Sequence, residues 1–262
     1  MVDKKYSIEK LSAIIIAKNE EANIKRCIKS LINCIDDIVV IVDNSSTDNT
    51  LEVVNSFNVN CIRADWMGYA KTKEFAIDKT KYNWILWIDA DECLTEELKT
   101  ELTKLKNTKT ENTAFKVARK AYFLGRWIKH CGWYPGYVPR LFNKNESSFN
   151  NNQVHEQLIT NGPIGVLKND LEHYTDPNIY HYFEKFNKYT TLAANEMDIK
   201  SKKINRTDII LRPLFLFVKM YFFRLGFLDG FPGFVLSVFS ANYVFTKYCK
   251  LWELNNYKFT GE

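Results

Sequence analysis

Short apolar runs and stretches of helical periodicity take turns along the first hundred residues. Leu11 to Ala17 (LSAIIIA) and Ile38 to Val42 (IVVIV) are brief and uniformly apolar, which predicts strands buried on both faces. After the first run, Ile24, Cys27, Ile28, Leu31 and Ile32 recur at the spacing of one helix face, with Asn19 as its expected cap and acidic residues in the first turn. After the second comes Asp43 to Thr50 (DNSSTDNT), a turn-forming segment that opens a helix from Leu51 to about Phe57, with Asp48 as its expected cap. Val59 to Arg63 is a weaker third strand, and Gly68 to Lys79 reads as a helix. Trp84 to Glu92 (WILWIDADE) is a fourth buried strand that ends abruptly in carboxylates, and an exposed helix follows near Thr95 to Leu105. This alternation predicts a parallel α/β sheet.

The pattern changes at Thr113. Up to Phe142 it becomes short segments rich in aromatics, Arg and Gly, which predict strands and loops. Gln153 to Thr160 alternates like a strand, Asp176-Pro177 stops what precedes it, and Ile179 to Lys200 is an amphipathic helix. Ile209 to Trp252 is strongly apolar and aromatic, yet it is punctuated by Arg212, Pro213, Lys219, Arg224, Asp229, Gly230 and Pro232. No run of about 18 residues avoids both charge and helix breakers, so a spanning helix is not expected. Two amphipathic helices flanking Asp229-Gly230, lying on a membrane face or on the catalytic domain, are expected instead. Ordinary core helices are the plain alternative.

Composition narrows the class. The chain has 262 residues, 46% hydrophobic and 26% charged, enough for one large domain or a domain with an appendage. A net charge of +5 without a basic block argues against nucleic acid and leaves an anionic partner open. Six scattered cysteines with no C-x-x-C pair, and only four histidines, make a structural zinc site unexpected and suit a reducing compartment. The N-terminal MVDKKYSIEKLS lacks a secretory h-region, so a cytoplasmic location is expected. No G-x-G-x-x-G or P-loop motif occurs.

The carboxylates of the fourth run carry the chemistry. Asp89, Asp91 and Glu92 fall within four positions at the carboxyl end of a strand, where open α/β sheets place ligands. Crowded carboxylates repel unless a cation offsets them, and Mg²⁺ accepts such an oxygen site while filling its other positions with water and phosphate. Asp89-Ala90-Asp91 is therefore expected to dock a metal-bound diphosphate. The plain alternative is a pair of turn or helix-start carboxylates.

Three blocks, IIIAKNEEANI, IVDNSSTDNT and WIDADE, together resemble the inverting family 2 glycosyltransferases of GT-A fold. FLGRWIKHCGWYP, PRLF, VHEQL, EHYTD, KFNKYTTLAA and FLDGFPGF further resemble the branch of inner-core lipopolysaccharide β-glucosyltransferases. The resemblance implies a GT-A catalytic domain over 1–205, with a nucleotide-sugar half at about 10–112 and an acceptor half at 113–205. An amphipathic helical extension, 206–262, would follow. It also implies that Ala17, Asn19 and Glu20 line the nucleotide pocket and that Asp43 recognises the base or ribose of a uridine nucleotide. The family often has a second acid directly after Asp43, and here that residue is Asn44. Asp89 would face the ribose or a metal-bound water, and Asp91 would ligate Mg²⁺ or Mn²⁺. Lys71 or Lys73 could approach the diphosphate, or both could be solvated surface charges.

A sugar leaving a diphosphate passes through an oxocarbenium-like transition state, and charge grows on the departing phosphate, where a divalent cation and Lys or Arg stabilise it. On the other face a base must take the acceptor's proton. Glu156 is the chosen candidate, with Asp170, Glu172 and Asp176 as alternatives. His155 is assigned beside it on the acceptor side, and either His155 or His173 could be a buried histidine or a third metal ligand. Arg126, Trp133 and Arg140, within a loop region rich in aromatics, could clamp a sugar-phosphate acceptor or frame the loop by packing. The expected reaction is metal-dependent transfer of a hexose, glucose from UDP-glucose in the first instance, to a lipopolysaccharide-core or other lipid-linked acceptor. It would take place at the cytoplasmic face of the inner membrane, with the protein peripheral to it. A sugar-nucleotide nucleotidyltransferase and a non-catalytic glycan- or lipid-binding protein are the alternatives.

Overall fold

The structure, a computed structural model, describes residues 5–150, 157–176 and 178–256. In chain order the first elements are β1 (Tyr6–Ile8), β2 (Leu11–Ala17), α1 (Glu21–Leu31), β3 (Asp37–Asp43), α2 (Thr50–Asn55), β4 (Asn60–Ala64), α3 (Tyr69–Asp78) and β5 (Trp84–Trp87). There follow β6 (Glu92–Leu94), α4 (Glu96–Leu105), β7 (Thr108–Thr110), β8 (Ala114–Phe123), β9 (Arg126–Trp127), β10 (Gly136–Asn143), β11 (Ser147–Phe149) and β12 (Leu158–Thr160). The last are β13 (Ile164–Val166), β14 (Leu171–Asp176), α5 (Ile179–Ile199), α6 (Arg206–Val218) and α7 (Gly230–Asn256). The chain divides into two compact units, residues 1–119 with 136–173 and residues 120–135 with 174–262.

In the first unit β4, β3, β2 and β5 lie side by side in that order and run parallel, as the alternation of strands and helices predicts. β10 then joins β5 antiparallel and pairs in turn with β8, which makes the sheet mixed. All seven residues of β3 are buried. At one end Asp37 Oδ2 accepts from Ser12 Oγ at 2.8 Å and from the Lys81 amide at 2.9 Å, so this buried carboxylate is satisfied within the core. α1 buries Ile24, Cys27, Ile28 and Leu31, the face its periodicity predicts.

Two expected caps are placed differently. Asn19 has a left-handed φ of 55° and so stands outside the helix; Glu20 is the residue that precedes α1. Asp48 likewise stands one residue outside α2, whose N-cap is Asn49. Both side chains stitch two loops together, and Asp48 also meets the start of α2 as expected, its Oδ1 accepting from the Thr50 amide at 3.1 Å and the Thr50 hydroxyl at 2.6 Å. Asn19 Oδ1 accepts from the Thr47 amide at 2.8 Å, and Asp48 Oδ2 accepts from the Glu21 amide at 3.0 Å. Glu21 returns the contact by accepting from Asn49 Nδ2 at 2.9 Å.

In the second unit the end of β8 turns back on β9, pairing Tyr122 with Trp127 and Phe123 with Arg126. α6 runs on into a π-helical turn (Lys219–Phe223), and after left-handed Leu225 a 3₁₀ turn (Gly226–Asp229) enters α7. The buried Asp229 carboxylate accepts from the amides of His130 at 2.8 Å and Lys129 at 3.2 Å, and faces His130 Nδ1 at 2.9 Å. That clip ties the segment after β9 to the turn before α7. Ala194 of α5 packs with Tyr248 and Leu251 of α7, and the Phe186 and Tyr243 rings lie 5.8 Å apart. α5 packs on α7 and belongs with the C-terminal helices in the second unit. Among the described residues no helix is long and apolar enough to cross a membrane.

Gly233 sits where a Cβ would collide with the carbonyl oxygen of Gly226 and the Cβ of Asp229. Gly233→Ala is expected to destabilise the protein by about 1–3 kcal/mol, as over-packing does. Urea unfolding followed by circular dichroism checks this.

Candidate active site

β5 is shorter than the apolar run suggests. It ends at Trp87, and Asp89, Ala90 and Asp91 form the turn into β6, which starts at Glu92. Glu92 is fully buried and reaches back to accept from the Asp89 amide at 3.0 Å, which closes the turn. A half-exposed carboxylate so close to a buried one calls for a cation, and Arg140 supplies it. Its Nη2 donates to Asp89 Oδ2 at 2.5 Å and to Glu92 Oε1 at 2.7 Å. The Arg140 side chain is only 3% exposed. The pairing of β10 with β8 shifts register between Pro139 and Leu141, so Arg140 lies at a β-bulge, the device that re-aims a single side chain out of strand alternation. Arg119 Nη1 adds a more distant contact to Glu92, at 3.7 Å.

Trp87 joins this cluster. Its indole nitrogen donates to Asp89 Oδ1 at 3.1 Å, and its ring lies under two cations, Lys73 Nζ at 3.2 Å and the Arg140 guanidinium at 4.2 Å from the centroid. Burial alone would raise the Asp89 carboxyl, but the charges of Arg140 and then Lys73 hold it well below the usual range. Burial pushes Glu92 up, against the pull of Arg140. Asp89 is thus the more firmly ionised of the two. Cys27 beneath the turn donates its thiol to the Asp89 carbonyl, and burial followed by the surrounding carboxylates keeps it protonated.

Asp91 stands apart from this clamp. β14 pairs antiparallel with β6, with His173 opposite Glu92, and this register brings His173 Nε2 to 3.4 Å from Asp91 Oδ2. Among the described residues no group of three or more His, Cys, Asp and Glu side chains is arranged to hold a metal ion. Asp91 and His173 nonetheless fit the expected Mg²⁺ or Mn²⁺. Such ions are held by one or two protein ligands with substrate phosphate and water completing the shell, and imidazole suits the softer of them.

At the end of β3, Asp43 is 3% exposed in its side chain. Its Oδ1 accepts from the amide and hydroxyl of Ser45, at 2.8 and 2.7 Å. Its Oδ2 is buried without a hydrogen-bond partner and lies 3.6 Å from Lys18 Nζ. Burial would raise this carboxyl, but the Ser45 bonds and the Lys18 charge bring it below its ordinary value. Ala17, at the end of β2, is buried, and the Glu20 amide donates to Thr50 Oγ1 at 2.8 Å. Asn44, where the resemblance expects an acid, donates its amide to Asp65 Oδ1 at 2.8 Å.

Of the two lysines on α3, Lys71 is exposed and Lys73 is buried over Trp87, so only Lys73 belongs to the cluster. The sequence places Arg140 on the acceptor side. Its guanidinium is committed to Asp89 and Glu92 because the bulge turns it inward. Arg126 and Trp133 belong to the second unit. Trp133 packs there against Phe123, and Arg126 is exposed beside Gly230. His155 and Glu156 lie outside the described residues. Trp87, read from sequence as core, and Asp65 were missed. Trp87 carried one legible signal, an indole two residues before an aspartate at a strand end.

The description Glycosyl transferase family 2 matches residues 12–161. The chain belongs to this family. An uncharacterised glycosyltransferase of Rickettsia typhi is 32% identical over 268 residues, covering 95% of this chain and 88% of the relative. The lipopolysaccharide core biosynthesis glycosyltransferase LpsC of Rhizobium meliloti is 31% identical over 255 residues, covering 93% of this chain and 92% of the relative. Among solved structures, that of S. aureus TarS 1–349 in complex with UDP aligns over 96% of this chain and 93% of that chain, at 14% identity with a TM-score of 0.45. This glycosyltransferase has the GT-A fold with a C-terminal helical extension, as the sequence resemblance implies. Family membership sets aside the nucleotidyltransferase and the non-catalytic binding protein.

Two outcomes follow for the transferase. Arg140→Met should cost about 3 kcal/mol, the low end for stranding a buried pair, because the Asp89 carboxylate keeps 41% exposure while Glu92 keeps none. Denaturant titration of the variant against the parent measures it. Asp43, whose carboxyl is lower in the folded than the unfolded state, contributes stability above about pH 4 that is lost as the pH falls through its folded value. Asp43→Asn should therefore be less stable at pH 7, with the gap narrowing below pH ~4; unfolding midpoints across that range check the sign.

Proposed function

We propose that this glycosyltransferase moves a hexose, glucose from UDP-glucose in the first instance, onto a lipopolysaccharide-core or other lipid-linked glycan. The reaction would invert the anomeric carbon, use Mg²⁺ or Mn²⁺, and take place at the cytoplasmic face of the membrane. The observation that carries the reading is the pairing of Asp91 with His173 beside an Asp89 already neutralised by Arg140. Asp91 is thereby left to serve a ligand instead of the fold. The kinship with LpsC, a protein named for lipopolysaccharide core biosynthesis, supports the acceptor class.

Each residue then has a role. Asp43 Oδ2, buried and lacking a donor, would accept an N–H or O–H from the uridine. Asp89, fixed by Arg140 and Trp87, would face the ribose. Lys73 would present its charge to the diphosphate, where negative charge grows as the sugar departs. Asp91 and His173 would hold the divalent cation, which supplies further positive charge at the leaving diphosphate. Glu156 is proposed as the base that takes the acceptor's proton, on the face opposite the leaving group.

A thermal-shift panel of nucleotide sugars, with and without Mn²⁺, tests this. Stabilisation should be largest with UDP-glucose and Mn²⁺ together, since a ligand that binds only the folded state raises its stability. Asp91→Asn and His173→Ala should lose the metal-dependent part and hexose transfer while keeping the parent's far-UV circular dichroism. Near-normal transfer by Asp91→Asn would refute the metal assignment.

A further inference from the structure

The C-terminal helices wear their apolar residues on the outside. On α6, Ile210, Leu211, Leu214, Phe215 and Val218 are exposed at helical spacing, while Pro213 on the other side is buried. On α7, Phe231, Phe234, Val238 and Phe245 form a second exposed stripe, with Gly233, Leu236 and Ser237 buried. Between them Phe223 is 75% exposed and Phe231 is 73% exposed. Isolated exposed apolar side chains need no explanation, but a continuous band of this kind marks an interaction surface.

The charge on the same elements selects the partner. From Arg206 to Asn256 the chain carries Arg206, Arg212, Lys219, Arg224, Lys247 and Lys250 against Asp208, Asp229 and Glu253. Asp229 is buried and engaged by Lys129 and His130, and Asp208 accepts from Arg212 Nε at 2.8 Å, so the helices keep a net positive charge. Three of the cations line one groove of about 390 Å³ between α6 and α7, in which Arg212, Lys219 and Lys247 stand among Phe215, Leu216 and Tyr248. A second copy of this surface would bring cation against cation. An anionic amphiphile meets both the charge and the apolar band.

We propose that α6 and α7 form an interfacial docking surface for an anionic phospholipid bilayer. Phe223, Phe231 and the flanking stripes enter the boundary between headgroups and acyl chains, and Lys219 and Lys247 take lipid phosphates in the groove. The helices lie on the bilayer, and none is long and apolar enough to cross it. The inference deepens the membrane-face part of the proposed function and rests on that part, not on the transfer chemistry.

Flotation of the full chain with vesicles of phosphatidylcholine alone or mixed with phosphatidylglycerol tests it. The anionic vesicles should carry the protein upward, and salt should weaken their hold. Phe223→Asp with Phe231→Asp should reduce partitioning roughly tenfold or more, and Lys219→Gln with Lys247→Gln should reduce the anionic preference by roughly fivefold per charge removed. Both double variants should keep the parent's stabilisation by UDP-glucose and Mn²⁺, so a failure of donor binding in the parent would count against the catalytic reading alone. No flotation with anionic vesicles, or flotation unchanged in the Phe variants, would overturn the proposal. A stable dimer in light scattering that the Phe variants abolish would overturn it too, by assigning the surface to a second copy.

Discussion

Three acidic side chains within four residues at the end of a buried strand cannot all go unmet, and the guanidinium of Arg140 is what lets two of them stay. Two unit charges 4 Å apart interact by roughly 4 kcal/mol at an effective dielectric constant near 20. Without Arg140, Asp89 and Glu92 would repel each other and pay for desolvation as well. The bulge in β10 costs a regular ladder position, and in exchange it delivers one planar donor group that reaches both carboxylates. Trp87 completes the arrangement by donating to the other oxygen of Asp89 and offering its ring to Lys73 and Arg140. The turn is then rigid before any ligand arrives. Asp91 pairs with His173 instead and stays outside the Arg140 clamp.

How much of this could be read in the chain depends on how local each signal is. β2, β3 and the start of β5 were legible because a buried parallel strand is written in a few consecutive residues. The position of the carboxylates at a strand end was legible for the same reason. Arg140 was not, because its role depends on a bulge and on partners 51 and 48 residues away. His173 reaches Asp91 only through the register of β14 on β6, which no local pattern specifies. Lys71 and Lys73 make the point within one helix. Two residues apart, they project to different sides of α3, and deciding which faces the site requires a phase that a weakly amphipathic sequence does not supply.

The C-terminal segment shows a different limit. Its charges and helix breakers correctly argued against a spanning helix, yet apolar periodicity alone does not say which stripe faces the protein. Amphipathicity normally points the apolar face inward, because that is where burial is available. In α6 and α7 small and turn-forming residues occupy much of the inward side. Pro213, Gly233 and Ser237 allow close approach, Gly233 so close to Gly226 that no side chain fits; Leu236, Tyr248 and Leu251 fill the rest of the inward side, and many other large residues are left outside.

The loops after β2 and β3 illustrate how a loop gains precision from side chains that tie one backbone to another. Asn19 and Asp48 bind the backbone of each other's loop, Asp48 while also accepting from the Thr50 amide at the start of α2, and Glu21 answers with a contact to Asn49. The loops after β2 and β3 are therefore ordered as a pair around Asp43, whose free oxygen is fixed in a buried position by two bonds from Ser45 to its other oxygen. Ordering these loops during folding means that the entropy of immobilising them is not charged again when a nucleotide binds. Asn19 thus acts through the backbone it holds, which is a different dependence from that of Asp43. Substitution at Asn19 would loosen both loops, whereas substitution at Asp43 would remove one buried acceptor and leave the loop pairing in place.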